Sequence, residues 1–308
     1  MTALLAVATH VPETVPLAAL AAELGLSDQQ VRRFGKLYGL DRICRSDASE
    51  AELLIAAAGK LAELAGQEDR VRYVVRARTV PAAAPYPLRP LGQVRRELRL
   101  DHATTFAVTD HACASGLLAV DLVGTMLAAD GDPAALALVL VGEKVFTPDV
   151  GWIPDVGVLG EGTAAVLVGA HGESDEMLGF ASRSYGLPSG EFVMSAETAA
   201  WFRSIYADGL TAVIGGAVDA AGVELSDVDL VLPHNVNRIS WTRSAKQLGI
   251  DPRKLFLDNV PRYGHCFCAD PFINYRTAAD LGLLRSGQFY LMVSVGLGST
   301  FSAMLLRH

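Results

Sequence analysis

Several features that this chain of 308 residues lacks narrow its role before any motif is considered. It has no excess of basic charge: 26 Lys and Arg stand against 34 Asp and Glu, a formal net charge of −8. That balance argues against nucleic acid or an anionic membrane as the main partner. It has no low-complexity tract, and Met1-Thr2-Ala3-Leu4-Leu5-Ala6-Val7 carries no basic residue before the apolar run stops at His10-Val11-Pro12. The beginning therefore reads as a first strand rather than a secretory leader. The longest uninterrupted apolar run, Pro133–Gly142, is far shorter than the roughly 20 residues a membrane-spanning helix needs. Cysteine is scarce: Cys44, Cys113, Cys266 and Cys268 make no evident disulfide framework in a chain of this size. These absences predict a cytoplasmic protein with neither nucleic acid nor membrane as partner.

What is present is a globular composition, 51% hydrophobic and 19% charged, in an alternation of strands and helices. Strands are expected at Ala3–Ala8, Arg72–Val75, Thr105–Val108, Leu136–Val141 and Thr163–Val168, with helical patterning at Leu17–Leu24, Asp28–Leu37, Ala51–Ala65 and Gln93–Leu98. Such alternation implies a parallel or mixed sheet covered on both faces. The second part is expected to run in the same order: strands at Met177–Ser182, Val228–Leu232, Leu255–Leu257, Phe289–Val295 and Thr300–Leu306, helices at Leu210–Ala221, Ile239–Leu248 and Pro271–Leu284. Both parts close alike, with Leu136–Gly142 and Thr163–Gly169 matching Phe289–Val295 and Thr300–Leu306. An internal repeat changes the expected architecture. It predicts two similar α/β halves, residues 1–172 and 173–308, packed into one layered unit.

The chemistry-bearing residues fall at corresponding places in the two halves. Cys113, in Asp110-His111-Ala112-Cys113-Ala114-Ser115-Gly116, follows a strand and opens a helix. There the unpaired backbone N–H groups and the helix dipole favour a thiolate. A small buried cysteine filling a strand–helix junction would look the same. The loop His265-Cys266-Phe267-Cys268-Ala269-Asp270 opens the corresponding helix of the second half, so a pseudo-two-fold axis would bring the two helix starts together. A thiol nucleophile needs a base, and the base is best held by a third group; Cys113, His265 and Asp270 could fill those roles. Asp270-Pro271 also reads as a helix N-cap followed by proline at the first helical position, and His265 as a loop histidine bonded to backbone. The cluster His265-Cys266-x-Cys268 is cramped for tetrahedral metal coordination, so no metal is expected. His234, just past the strand Val228–Leu232, lies where α/β folds place ligands and can donate to a carbonyl oxygen as charge develops there. Gly298, in Gly296-Leu297-Gly298, is a candidate oxyanion donor or an ordinary turn glycine. Phe267 and Trp152, Trp201 and Trp241, with the loop 185–193, are candidates for lining a pocket, although core packing explains them as well.

Taken together these residues resemble the thiolase superfamily, and within it the ketoacyl-ACP synthase III group, over nearly the whole chain. Val11-Pro12-Glu13 and Gly39-Leu40-Asp41-Arg42 resemble its N-terminal signatures, and Ala112-Cys113-Ala114-Ser115-Gly116 its nucleophile segment. Gly160-Glu161-Gly162-Thr163-Ala164-Ala165 is similar to its G-D-G-A-G-A turn, His234-Asn235-Val236-Asn237 to its H-Q-A-N motif, and Gly296-Leu297-Gly298-Ser299-Thr300-Phe301 to its terminal glycine-rich turn. The resemblance implies a thiolase-like fold: two βαβαβαββ halves in a five-layered αβαβα arrangement. It also implies a homodimer, a covalent acyl-cysteine, and a tunnel for the pantetheine arm of coenzyme A or an acyl carrier protein. Asn237 and Arg238 are carried over as substrate- or carrier-binding residues, with Arg238 one place nearer to Asn237 than in the family pattern.

One departure is informative. The group has G-N-T where this chain has Gly264-His265-Cys266, so an asparagine that helps hold an enolate is replaced by a histidine. A base suits transfer to an oxygen or nitrogen nucleophile better than decarboxylative condensation. The pattern G-H-x-x-x-x-D resembles the ketoacyl-synthase-III-like acyltransferases of bacterial secondary metabolism, including polyketide pathways, which acylate hydroxyl groups; by that resemblance Cys113, His265 and Asp270 form a triad. The expected function is therefore acyl transfer from a CoA or carrier-protein thioester, through acyl-Cys113, to a hydroxyl or amine of a small-molecule acceptor, with no cofactor beyond the donor's own CoA or phosphopantetheine. The alternative is decarboxylative Claisen condensation with His234 and His265 sharing the enolate. A third is a non-catalytic partner in a condensing heterodimer.

Overall fold

A computed structural model describes residues 2–80, 89–147, 151–186, 195–297 and 299–308. The first half runs β1 (Thr2–His10), β2 (Thr14–Pro16), α1 (Asp28–Arg33), β3 (Arg42–Cys44), α2 (Glu50–Ala58), β4 (Val71–Ala77), α3 (Pro90–Glu97), β5 (Thr104–Val108), α4 (Ser115–Asp130), β6 (Leu136–Val141), β7 (Trp152–Ile153), β8 (Gly157–Val158) and β9 (Thr163–Gly169). The second runs β10 (Glu176–Ser184), α5 (Ala196–Ala221), β11 (Val228–Pro233), α6 (Arg238–Leu248), α7 (Val260–Tyr263), α8 (Asp270–Asp280), β12 (Phe289–Gly296) and β13 (Thr300–Arg307). Nine of the strands join in the order β11-β12-β13-β10-β1-β9-β6-β4-β5. β4 lies parallel to both β5 and β6, and β11 parallel to β12. The join between halves is narrow: β1 meets β10 through Thr2 opposite Met177 and Ala3 opposite Glu176.

Strand side chains alternate between faces, and here both faces are buried. In β6, Ala137, Val139 and Val141 point into one core while Leu136, Leu138 and Leu140 point into another. In β12, Tyr290 and Met292 share the first of these cores, and Leu291, Val293 and Val295 enter a third. The shared core also holds Leu117, Val120 and Val123 of α4 and Phe272, Ile273 and Ala278 of α8. The outer cores take Ala51, Leu54 and Ala57 of α2 on one side, and Leu210, Val213 and Ile214 of α5 with Trp241 of α6 on the other. The layers are therefore helices, half-sheet, α4 with α8, half-sheet, helices, the five-layered arrangement expected.

The middle position accounts for the composition of α4. Residues 112–130 are long and apolar enough to cross a membrane by length and composition, although Ser115, Asp121 and Thr125 break them into short apolar runs. Much of an apolar helix must be covered, and α4 touches strands of both halves, while Leu122 and Thr125 on its outer face stay exposed.

Other expectations shift. Leu255–Leu257 forms no strand; Leu255 makes one isolated bridge to Val231, and Phe256 N–H donates to the Val231 carbonyl at 2.9 Å. The 3-10 turn Pro252–Lys254 just before it leaves too little extended chain for a ladder. The helix expected from Leu210 begins at Ala196, where Ser195 Oγ caps the Thr198 N–H at 3.1 Å. The helix expected to reach Leu284 stops at Asp280, and the chain turns at Gly282 with φ +66°.

Candidate active site

The strand β5 delivers the chain to Asp110, and a 3-10 turn over Ala112–Ala114 leads directly into α4. Ala112 takes φ +46°, a left-handed conformation that a non-glycine residue adopts only when its surroundings impose it. Those surroundings are present. Ser294 Oγ of β12 donates to the Cys113 carbonyl at 2.7 Å, and Ser115 Oγ to the Thr109 carbonyl at 3.1 Å. Gly296, at the end of β12, lies so close that a Cβ there would come within 2.3 Å of the His111 carbonyl oxygen. The second half thus clamps the turn of the first, and Cys113 is buried at the amino end of α4.

The opposing turn is built from Gly264 onward. Gly264 has φ +74°, and a Cβ on it would meet the Val158 carbonyl oxygen at 2.8 Å, so glycine is required for the close approach. His265 N–H donates to the Val158 carbonyl, and Gly160 N–H to the His265 carbonyl, both at 2.9 Å. With its backbone fixed in this way, the imidazole spans the gap between the halves: Nε2 is 3.1 Å from Cys113 Sγ, and Nδ1 is 2.5 Å from Asp270 Oδ2.

Asp270 is fully buried and does not cap its helix. It is the first residue of α8, the cap position belongs to Ala269, and no side-chain cap bond forms. Its carboxylate instead accepts from His265 Nδ1, from Cys266 N–H at 2.7 Å and from Asn235 N–H at 2.5 Å, with Asn235 Nδ2 at 3.3 Å. A carboxylate held by several donors in the first turn of a helix is fixed in place, and it fixes the imidazole's orientation in turn. Asn235, second residue of the His234-Asn235-Val236-Asn237 motif, thus holds the carboxylate. Asn235 and Asn274 exchange amide hydrogen bonds, Asn274 Nδ2 donates to the Pro233 carbonyl at 2.6 Å, and Asn259 Nδ2 donates to Asn274 Oδ1 at 2.8 Å. The one signal for this buried amide chain was that Asn274 lies four residues after Asp270, on the same helix face.

The two histidines are tuned in opposite directions. For His265, burial opposes the charge, yet the Cys113 sulfur and the Asp270 carboxylate outweigh it and push the imidazole up to about 10. His234 is held well below the usual histidine range, by burial first and by neighbouring His265 second. It stays neutral, its ring 5.7 Å from that of His265 and 5.2 Å edge-on to Trp241, with Nδ1 buried and unpartnered among the described residues.

The remaining candidates divide. Asn237, expected at the substrate, caps α6 instead: Oδ1 accepts the Ser240 N–H at 2.8 Å and Nδ2 donates to the Val156 carbonyl at 2.7 Å, so both amide atoms are in use. Arg238 is exposed at the start of α6, its stem lying against Gly39. Phe267 is buried with φ +55°, its ring 6.4 Å from that of His265. Gly298 lies outside the described residues, as do 187–193 of the loop named as a possible wall. The trio His265, Cys266 and Cys268 does not converge: Cys266 Sγ lies 3.5 Å from Cys44 Sγ, and Cys268 Sγ donates to the Ala77 carbonyl at 3.3 Å. All four cysteines are free and buried.

A sulfur, an imidazole and a carboxylate in one buried hydrogen-bonded line can activate a nucleophile and then serve as a base for a second reactant. Residues 218–308 match the family described as 3-oxoacyl-[acyl-carrier-protein (ACP)] synthase III C terminal. The β-ketoacyl-[acyl-carrier-protein] synthase III of Aquifex aeolicus is 26% identical over 206 residues, a match that spans 64% of this chain and 65% of that relative. Among solved structures, ChlB3, described as an acyltransferase, superposes with a TM-score of 0.85 at 19% identity, over 99% of this chain and 97% of its own. The A. aeolicus synthase structure gives 0.82 at 20% identity over the full length of both. At those identities the superpositions establish the fold.

Proposed function

We propose that this chain, a ketoacyl-ACP-synthase-III-like member of the thiolase superfamily, is an acyltransferase that carries an acyl group on Cys113 and passes it to a hydroxyl or amine. The observation that carries the reading is the line from Cys113 Sγ through His265 to Asp270, at 3.1 and 2.5 Å. In the first half-reaction His265 Nε2 takes the thiol proton and Sγ attacks the carbonyl carbon of a CoA or carrier-protein thioester. The Cys113 N–H, at the positive end of α4, faces the developing oxyanion. The bond to the pantetheine sulfur breaks, and His265 returns the proton to that leaving thiolate.

Acylation then changes the base. A thioester carries no charge, so the Cys113 contribution that raises His265 disappears, while burial still lowers it and Asp270 still orients it. The imidazole is left neutral and facing the acyl carbon. It takes the proton of the acceptor hydroxyl or amine as that atom attacks, and Cys113 leaves as a thiolate that receives the proton back from His265. The reading includes a homodimer working in the cytoplasm, with ChlB3 as the structural likeness that supports transfer.

A second reading is supported by His234. A neutral, buried imidazole beside the nucleophile suits stabilisation of an enolate, and the A. aeolicus relative is a β-ketoacyl synthase. One experiment orders the readings. Intact mass after incubation with a mixture of acyl-CoAs is expected to show one acyl adduct, absent in Cys113→Ala, which identifies the donor chain. Chasing that adduct with malonyl-CoA should release no CO2 and form no β-keto product. Release of both would replace transfer by condensation, and no adduct on any donor would remove catalysis.

A further inference from the structure

Two features close to Cys113 have no part in the scheme above: a buried carboxylate, Glu143, and a buried hydroxyl, Thr79. We propose that the Thr79 hydroxyl is a second hydrogen-bond donor to the Cys113 sulfur, and that Glu143 is the positioning residue that aims it. Thr79 Oγ1 is 3.6 Å from Cys113 Sγ, within reach for a bond to sulfur, whose electron cloud is large and diffuse. This inference rests on the reading of Cys113 as the nucleophile.

The placement follows from the sheet. β4 and β5 are parallel neighbours, so the chain leaves both strands at the same edge, the edge where α/β folds gather reactive groups. Thr79 lies two residues past β4, and Arg78 N–H ties that exit to the Val108 carbonyl at 2.9 Å, the last residue of β5. Thr79 is buried, and its hydroxyl proton faces the sulfur. The backbone beneath it is held from β6: the Glu143 carboxylate accepts the Thr79 N–H on one oxygen and the Val80 N–H on the other, the latter at 3.2 Å. Glu143 is itself buried and kept in place by Arg78, whose Nε lies 3.9 Å away, and Arg78 leans on Glu50 at 3.6 Å. Glu50 also pairs with Arg76 at 3.0 Å. A charged frame of four residues thus ends in one hydroxyl aimed at one sulfur.

The consequence is chemical. A donor to sulfur stabilises the thiolate more than the thiol, because a hydrogen bond to an anion is about twice as strong as one to a neutral atom. His265 supplies one such donor once it has taken the proton; Thr79 supplies another that does not change protonation state. Thr79 therefore steadies the negative sulfur before it attacks the donor and again as Cys113 leaves the acyl carbon, whichever proton His265 holds.

The test uses iodoacetamide and the intact chain, with no thioester, so its outcome is independent of whether the chain transfers acyl groups. Thr79→Val is expected to slow alkylation of Cys113 at neutral pH about tenfold, the effect of one charge-assisted hydrogen bond lost, and to reduce the ultraviolet thiolate absorbance. Thr79→Ser, which keeps the hydroxyl and loses the methyl, is expected to stay within about twofold of the native rate. Glu143→Gln leaves one of the two N–H groups without its acceptor, and an intermediate slowing is expected. If Thr79→Val fails to fold, Thr79→Ala removes the same hydroxyl. Native alkylation and absorbance in the hydroxyl-free variant, or equal slowing in the Ser and Val variants, would overturn the donor role. A native rate in Glu143→Gln would overturn the positioning role. Slowed alkylation in a chain that forms no acyl adduct would keep Thr79 and discard the transferase reading.

Discussion

The turns that open α4 and α8 are built alike and hold thiols with different surroundings. Each is a 3-10 turn with Cys-Ala as its last two residues, Ala112-Cys113-Ala114 in one half and Phe267-Cys268-Ala269 in the other. Each places the residue before the cysteine at positive φ, +46° at Ala112 and +55° at Phe267, and each leads into a helix of the middle layer. Their thiols meet different partners. Cys113 Sγ faces the His265 imidazole, while Cys268 Sγ donates to the Ala77 carbonyl, and burial first, with the Glu143 carboxylate second, pushes its thiol up to about 12. The local scaffold is therefore common to both thiols, and on the proposed reading the group presented by the opposite half is what sets Cys113 apart as the nucleophile.

The sharpest way to break the comparison is to exchange which thiol is present. Cys113→Ala should abolish both the acyl adduct and neutral-pH alkylation, and Cys268→Ala should leave both near native, read by intact mass. Labelling of Cys268 at a comparable rate would mean that the shared turn, not the facing imidazole, sets reactivity. Next in size is Asp270→Asn, which keeps the shape but lets the amide donate where the carboxylate accepts. Loss of an orienting carboxylate costs on the order of 10²–10⁴ in rate, and single-turnover measurements should show the loss in transfer to the acceptor. An unchanged transfer rate would make Asp270 a structural counterpart of the residues around Cys268.

A smaller effect tests the clamp on one turn only. Gly296→Ala puts a methyl group within 2.3 Å of the His111 carbonyl oxygen and should cost about 1–3 kcal/mol of stability, seen as a lowered Tm together with slower Cys113 alkylation. Cys268 and its turn are not touched by this change. A further signal is in pH. His265 is raised from 6.5 to about 10 on folding, so its cation contributes stability fully below 6.5 and loses that contribution as pH rises through about 10. Denaturant unfolding from pH 6 to 10 should show the decline. In Cys113→Ala the sulfur's share of the shift is gone, and the decline should move to lower pH.

Much of this arrangement was legible in the sequence. The strands showed because those of the middle of each half-sheet are buried on both faces and read as unbroken apolar runs, and the repeat of Leu136–Gly169 in Phe289–Leu306 gave the pairing of the halves. Placing Cys113 and His265 at matching helix starts needed only that repeat. What escaped was set by contacts between distant segments. Asp270-Pro271 has the local pattern of a cap, and the backbone N–H groups of Cys266 and Asn235, with the His265 imidazole, divert its carboxylate. Asn237 sits in a motif read as substrate-binding, yet the Val156 carbonyl, from 81 residues away, takes its amide. Thr79 and Glu143 belong to no spacing pattern, since what joins them is the parallel run of β4 beside β6. The first half of α5 was missed because its apolar and polar residues face a partly exposed surface and leave a weak period.

The burial of α4 between the two half-sheets bears on how the chain is made. A ribosome releases residues 112–130 before any of β12 or β13 exists, yet those strands cover part of this helix. For the time needed to synthesise the second half, an apolar helix is left without part of its lid, the kind of surface that holdase chaperones bind. Residues 1–172 expressed alone are expected to pellet on centrifugation, and to stay in the supernatant when 173–308 is supplied in the same cell. The reactive centre and the solubility of the nascent chain thus depend on the same late event, the arrival of the second half-sheet.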